Sequence, residues 1–559
     1  MNRRRFLQYL ALSPAAVYGC SAARRDYYRQ PEFGDVTILH MTDCHAQLLP
    51  VYYREPAVNL GIGAGKNAPP HLSGEQFLRR FGIRPHSREA YALTHLDFDN
   101  AAHRYGKMGG FAHLATLIKT IRALRGPDKT LLLDGGDSWQ GSATALWTRG
   151  QDMVDACNLL GVDAMTGHWE FTYGKERLFE NLKRFKGVFL AQNAAQAEEA
   201  VFEFGTDNDE LFKPYLIKQF GKIRIAVIGQ AYPYTPIANP PRFVKGWRFG
   251  IEERRLQSLV GRIRAAERPD AIILLSHNGM GVDLKLASRV AGIDLILGGH
   301  THDAVPEPIP VANPQGRTWV TNAGSHGKFL AVIDLQAGGG RLQAIRYRLL
   351  PVFAELLEPD PEMQSLIDSL RMPYLPVLRQ PLAEANELLY RRDNFYGTFD
   401  GLILDALLAE YGADIALTPG FRWGTAVLPG RTIAMEDVMN HTAVTYPETY
   451  AATMTGAQLK NMLEDVADNL FNPDPYYRQG GDMVRTGGMR FDCDPAAEGG
   501  KRIGAMRLQG GKPIEAGKRY KVAGWAAVSA PVAGRPVFEI VGEHLKASVR
   551  HRPGRAMSV

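Results

Sequence analysis

The sequence predicts an α/β protein in two unequal parts: a larger layered domain over residues 34–350 and a smaller C-terminal α/β domain over 381–559. Short β-branched or leucine-rich runs recur between helical stretches in the larger part. Each run ends in glycine or polar residues, and a proline-bounded helical segment divides the two parts. Apolar runs of this length, bounded by turn signals and alternating with helices, are the pattern of strands buried on both faces.

The 559 residues suffice for two or three domains with sizeable cores, and 45% hydrophobic with 22% charged residues is an ordinary globular composition. The start of the chain stands apart. Arg3, Arg4 and Arg5 precede Phe6-Leu7, and the apolar run over 9–19 is too short to span a bilayer. Residues 1–23 therefore read as a twin-arginine export signal, with a periplasmic destination and no transmembrane segment. Cys20 is removed with that signal or, on the weaker reading of Val17-Tyr18-Gly19-Cys20 as a lipoprotein box, lipidated. Without the signal, Lys and Arg fall from 65 to 62 against 59 acidic residues, so +6 becomes +3, which makes no case for nucleic acid. Cys44, Cys157 and Cys493 remain, odd in number and widely spaced, which argues against a disulfide framework.

The strand runs are 36–39, 130–133, 223–228, 271–275 and 294–297, with helices over 112–125 and 256–267 between them. Residues 55–110, rich in glycine, proline and histidine and weakly periodic, read as a structureless insertion at the mouth of the first strand, of a length typical of a lid. Residues 351–380 form a connecting helix and linker. Helices near 401–411 and 456–469 belong to the second domain.

Chemistry is concentrated just past the strands. His40-Met41-Thr42-Asp43-Cys44-His45, Asp134-Gly135-Gly136-Asp137, Ser276-His277-Asn278 and Gly299-His300-Thr301-His302 follow four of the runs, and His168 lies in a loop at the same edge. Open α/β sheets place their ligand sites at the carboxyl ends of the strands. In extended backbone, Asp43 and His45 share one side, as do His300 and His302, while Cys44 faces away and reads as packing. An Asp and His donor set suits Zn²⁺, Mn²⁺ or Fe rather than a soft thiolate site. Seven candidates, Asp43, His45, Asp137, His168, His277, His300 and His302, exceed what one tetrahedral metal needs. Two ions sharing a carboxylate, roughly 3.5–4 Å apart, fit better, and such sites hydrolyse charged tetrahedral centres by activating water.

The ordered blocks I-L-H-M-T-D-C-H, D-G-G-D, G-H-W-E-F, S-H-N-G and G-G-H-T-H resemble the calcineurin-like metallophosphoesterases, specifically their two-domain 5′-nucleotidase branch, over essentially the whole mature chain. Within it, T-D-C-H-A-Q-L-L-P, G-H-W-E-F-T-Y-G, P-G-F-R-W-G and G-G-D-M-V-R-T-G-G are similar to the SoxB family of thiosulfohydrolases. The resemblance implies a four-layer β-sandwich flanked by helices, followed by a 5′-nucleotidase C-terminal-like domain. It implies two Mn²⁺ ions, with Zn²⁺ permitted by the donors: one held by Asp43, His45, Asp137 and His302, the other by Asp137, His168, His277 and His300. Asp137 would bridge and be catalytic. The implied substrate is a cysteine-S-thiosulfonate on the carrier protein SoxYZ, from which sulfate is released.

The chain departs from the nucleotidase pattern G-N-H-E-F-D at Gly167-His168-Trp169-Glu170-Phe171-Thr172. Trp169 cannot shuttle a proton and Thr172 cannot orient one. An alkoxide leaving group needs a general acid worth about 10²- to 10⁴-fold. A persulfide leaves as the anion, as sulfur with its far lower pKa can. Arg422 is the expected sulfonate-binding residue from the second domain, with Trp423 beside it, since guanidinium offers an oxyanion two parallel donors. The alternative is a periplasmic 5′-nucleotidase-like phosphoesterase, which would sandwich a base between aromatics drawn from Phe421, Trp423, Tyr446 and Tyr476. A non-catalytic module with a structural metal fits poorly, because structural sites are closed and few in ligands.

Overall fold

The computed structural model describes residues 27–197, 211–529 and 532–547, so the expected export signal and Cys20 lie outside the described residues. Two six-stranded sheets build the larger part. In the first, β1 (Val36–Met41), β2 (Thr130–Asp134), β3 (Ala164–Met165) and β4 (Val188–Phe189) run parallel. The second contains β5 (Tyr215–Phe220), β6 (Ile223–Gln230), β7 (Ala271–Ser276), β8 (Leu295–Gly298), β9 (Ile309–Asn313) and β10 (Gly316–Asn322), with β6, β7, β8 and β10 parallel. The hairpin β11 (Phe329–Gly338) and β12 (Arg341–Pro351) closes the first sheet antiparallel to β1, giving the order β12-β11-β1-β2-β3-β4.

Strand alternation explains the layers. Ile38, Leu131 and Leu133 of one sheet meet Ile273, Leu275 and Leu297 of the other, while Leu39, Met41 and Leu132 face the helices Phe111–Arg125 and Gln151–Leu160. On the far side Ile272, Leu274 and Ile296 pack against Glu253–Ala266 and Met280–Arg289. The result is helix, sheet, sheet, helix. Each such Leu or Ile contributes roughly 1.5–3 kcal/mol by leaving water, which is why these runs are apolar throughout.

The two-residue strand β3 is too short to register as an apolar run, yet it delivers His168 to the sheet edge. The stretch 55–110 is not structureless, contrary to the sequence reading. It folds into helices Gly74–Phe81, Arg88–Leu93 and Phe98–Tyr105, each too short to develop a clear period. It is also pinned across to the second part: Val58 N and Leu60 N donate to Asp393 Oδ1 and Asn394 Oδ1 at 2.8 and 2.6 Å. A buried ion pair, Lys328 Nζ to Glu55 Oε1 at 2.6 Å, ties it to the sandwich.

After the connecting helix Pro361–Arg371, a four-stranded sheet of β13 (Ile415–Gly420), β14 (Thr449–Thr455), β15 (Asp482–Gly487) and β16 (Arg519–Trp525) forms the second core, in the order β14-β16-β13-β15. Helix Thr398–Tyr411 packs on one face through Phe399, Ile403 and Leu407, and Gly456–Phe471 on the other through Leu459 and Leu463. No helix among the described residues is long and apolar enough to cross a membrane.

Candidate dimetal site

The parallel strands of both sheets point their carboxyl ends at one place. The loop after β1 is laid on the loop after β2 by Asp43 N to Gly136 O and His45 N to Asp137 O, both 2.8 Å. The backbone here is not extended, which corrects the sequence expectation for the two paired motifs. Asp43, His45, Asp137, His300 and His302 all have positive φ, between 45° and 72°. Non-glycine residues rarely adopt this conformation, and it costs on the order of 1–3 kcal/mol each. The chain coils back at each of these five residues instead of running past it.

All seven sequence candidates come together, in two groups: Asp137, His168, His277 and His300, and beside them Asp43, His45 and His302. In each group the ligand atoms lie within 4.8 Å of one another. Asp137 Oδ2 stands 3.0 Å from both His168 Nδ1 and His277 Nε2, and Oδ1 accepts from Trp169 N at 2.7 Å. His45 Nε2 and His302 Nε2 face each other at 3.0 Å, with Asp43 Oδ1 3.3 Å from the latter.

The donor set fits divalent metal ions. Burial pushes His45, His168, His300 and His302 below the usual imidazole range, so they stand as neutral imidazoles, the ligating form. Burial also works against charge on His277, but Asp137 and Asp43 outweigh it and hold it up at about 10, a proton that a bound cation would displace. The outer nitrogens of two ligands are occupied in the manner of metal-binding histidines: His277 Nδ1 donates to Gly135 O at 2.6 Å and His300 Nε2 to Gln479 O at 2.8 Å. Those bonds aim the remaining nitrogens inward. Thr42 Oγ1 donates to Asp43 Oδ2 at 2.6 Å, orienting that carboxylate in the same way.

A cavity of about 80 Å³ adjoins the group of Asp137, His168, His277 and His300 and is lined by His300, Asn278, Arg392, Arg422, His71 and Arg478. Arg422, 7% exposed, donates through Nη1 to His300 O at 3.2 Å. Trp423 is not among the cavity-lining residues. Its ring stacks on His45 at 5.0 Å and on Phe421 at 4.4 Å, inside the core of the second part.

Residues 387–535 match the family model of the 5′-nucleotidase, C-terminal domain. Among curated relatives, the trifunctional nucleotide phosphoesterase protein YfkN of Bacillus subtilis is 26% identical over 80% of this chain, which spans only about a third (32%) of its length. Protein UshA of Yersinia enterocolitica is 24% identical over 74% of this chain and 80% of its own. The fold is shared with a 5′-nucleotidase precursor from Thermus thermophilus, at TM-score 0.72 and 22% identity over 93% of this chain and 98% of that one. The sulfate thiohydrolase SoxB of Thermus thermophilus superposes at TM-score 0.89, with 38% identity over 95% of this chain and 97% of that one. The chain belongs to the SoxB family, within the 5′-nucleotidase superfamily.

In this SoxB-family chain several residues around the site escaped the sequence reading. Glu170 was visible in the block G-H-W-E-F but carries no motif of its own. Tyr232, whose ring lies 3.9 Å from that of His168 and 4.3 Å from that of His300, follows a strand without any metal-type residue to flag it. Gln479 acts through its backbone carbonyl, which no side-chain pattern records. Arg392 stands beside Arg422 because Asp482 accepts from its Nη1 at 2.9 and 3.1 Å, a pairing 90 residues apart in sequence.

Proposed function

We propose that this protein is a two-metal hydrolase that releases sulfate from a cysteine-S-thiosulfonate on the SoxYZ carrier, in the periplasm after twin-arginine export. The observation that carries the reading is the state of Trp169 and Thr172. Trp169 is buried against Trp423 and Tyr446, and the Thr172 hydroxyl is committed to the Trp169 carbonyl at 2.7 Å. No proton donor stands at that position, so the reaction it suits is one whose leaving group departs as an anion.

Asp43, His45, Asp137 and His302 would hold one ion, and Asp137, His168, His277 and His300 the other, Mn²⁺ being the metal the family suggests. When bound, such ions supply Lewis acidity at the sulfonate and lower the pKa of water. The chain's own part is to position. Arg422 and Arg392 offer guanidinium donors to the sulfonate oxygens from the cavity wall. Water adds to the outer sulfur and gives up its two protons to solvent, the S–S bond breaks, and its electron pair leaves on the carrier persulfide while sulfate departs with the new oxygen.

The nucleotidase alternative asks for an open pair of rings. A base between two rings needs each at stacking distance, so the rings must stand about twice that far apart. Phe421 and Trp423 stack directly on each other, 16° from parallel, Tyr446 stacks on Trp169, and Tyr476 packs with a different cluster. The deciding experiment incubates the Mn²⁺-loaded protein with a carrier bearing a cysteine-S-thiosulfonate and, separately, with AMP. Sulfate release is expected from the first. Fast phosphate release from AMP without sulfate release would sink the proposal.

A further inference from the structure

We propose that Glu170 is the positioning residue of the two-metal centre, holding Asp137 and His168 in register and thereby setting the affinity for metal. The inference rests on the two-metal reading of the site and is independent of the substrate.

Glu170 is fully buried, and its carboxylate is bonded to backbone rather than to the side chains of the candidate ligands. It gathers four backbone N–H groups from two loops. Oε1 accepts from Ser138 N at 2.8 Å and Trp139 N at 3.2 Å, and Oε2 accepts from His168 N at 2.8 Å and Asp137 N at 3.3 Å. Two of these donors belong to the ligand residues themselves. The grip is returned from the other side, since Asp137 Oδ1 accepts from Trp169 N at 2.7 Å. Loop 136–139 after β2 and loop 167–170 after β3 are thus buttoned together by two carboxylates facing opposite ways.

Both loops need holding. Asp137 has φ of 57°, Gly136 of 92°, and His168 sits at φ −148°, ψ −79°, outside the common regions. Such backbone persists only when its surroundings over-determine it. Space for the carboxylate has been kept at a glycine: a Cβ on Gly167 would stand 3.3 Å from Glu170 Oε2 and 2.7 Å from the ring of Phe189.

The chemistry favours Glu over its neutral isostere. Four N–H donors need acceptor capacity on both oxygens, which an ionised carboxylate has. A glutamine has one acceptor oxygen, and its amide would set N–H against N–H at one pair of donors. Groups that orient metal ligands typically matter at the 10–100-fold level in metal affinity or activity.

The test compares the full mature wild-type protein with Glu170→Gln and Glu170→Asp. Each is stripped with chelator and titrated with Mn²⁺, followed by calorimetry and by the Mn²⁺ electron paramagnetic resonance signal. Wild type should take up two ions. Glu170→Gln should bind with Kd raised about 10- to 100-fold, with an altered spin-coupled signal, and its metal-free form should unfold at a somewhat lower temperature because the amide faces backbone N–H groups. Loss of kcat at saturating substrate should be recovered by excess Mn²⁺. Wild-type Mn²⁺ affinity and signal in Glu170→Gln would overturn the proposal. So would a drop in metal-free stability with affinity unchanged, which marks a merely structural residue. Should Glu170→Gln not fold, the shorter carboxylate of Glu170→Asp, which cannot span both loops, is judged by the same criteria. A wild type that binds two ions but releases no sulfate defeats the substrate assignment and leaves this titration to decide Glu170.

Discussion

The amide of Trp169 donates to Oδ1 of Asp137 at 2.7 Å, and the indole on the same residue lies 9° from parallel with Tyr446. One residue therefore faces two ways: its backbone orients the Asp137 carboxylate and its side chain closes the space beyond with packed rings.

That arrangement makes proton supply testable. In the double variant Trp169→His, Thr172→Asp, phosphate release from glycerol 2-phosphate, whose alkoxide needs a general acid, should rise, by up to about 10²-fold. Colorimetric phosphate detection reads the outcome. An unchanged rate in a folded, metal-loaded double variant would show that something other than the absent donor limits phosphoester cleavage.

Arg422→Lys keeps a positive charge in the cavity and removes the paired donors. Charge-assisted hydrogen bonds contribute about 1.5–3 kcal/mol, so kcat/KM for sulfate release should fall roughly 10- to 100-fold. Ion chromatography of sulfate against carrier concentration measures it, and a wild-type value would exclude Arg422 from substrate binding.

Gly480 has φ of 79°, and a Cβ there would stand 2.7 Å from His300 Nε2 and closer still to the Arg422 guanidinium. Gly480→Ala should disturb the Gln479 carbonyl contact and lower Mn²⁺ affinity or activity by about 10- to 100-fold. Equilibrium dialysis with metal analysis is the check.

Asp152 lies away from the site. Burial pushes its carboxyl up to about 6, against hydrogen bonds from Thr144, Thr148 and the Met153 amide. Its folded pKa exceeds the unfolded value, so the folded state holds the proton more tightly. The stability this gives is complete below about pH 4 and is lost as pH rises through 6. Asp152→Asn should remove that loss, on the order of 3 kcal/mol at pH 8, seen as a higher urea midpoint there than in wild type and little gain at pH 4.

The strands of the sandwich were legible because both faces are buried, which leaves Val, Ile and Leu in unbroken runs such as 271–275. The seven residues that the structure brings together in two groups were legible because Asp and His are conspicuous at strand ends. Illegible were contributions made by backbone or by distant pairing: the coiled φ values at Asp43 and His300, the carbonyl of Gln479, and Arg392 held by Asp482. An aromatic beside a candidate arginine looks equally like a wall of the site or a piece of the core, and Trp423 is placed by packing instead: it stacks on His45 from within the second core.

His300 sits at the end of a strand of the sandwich, yet its outer nitrogen is satisfied by a carbonyl of the other domain. A lesion that shifts loop 475–482, far from the sandwich in sequence, would therefore present itself as metal deficiency.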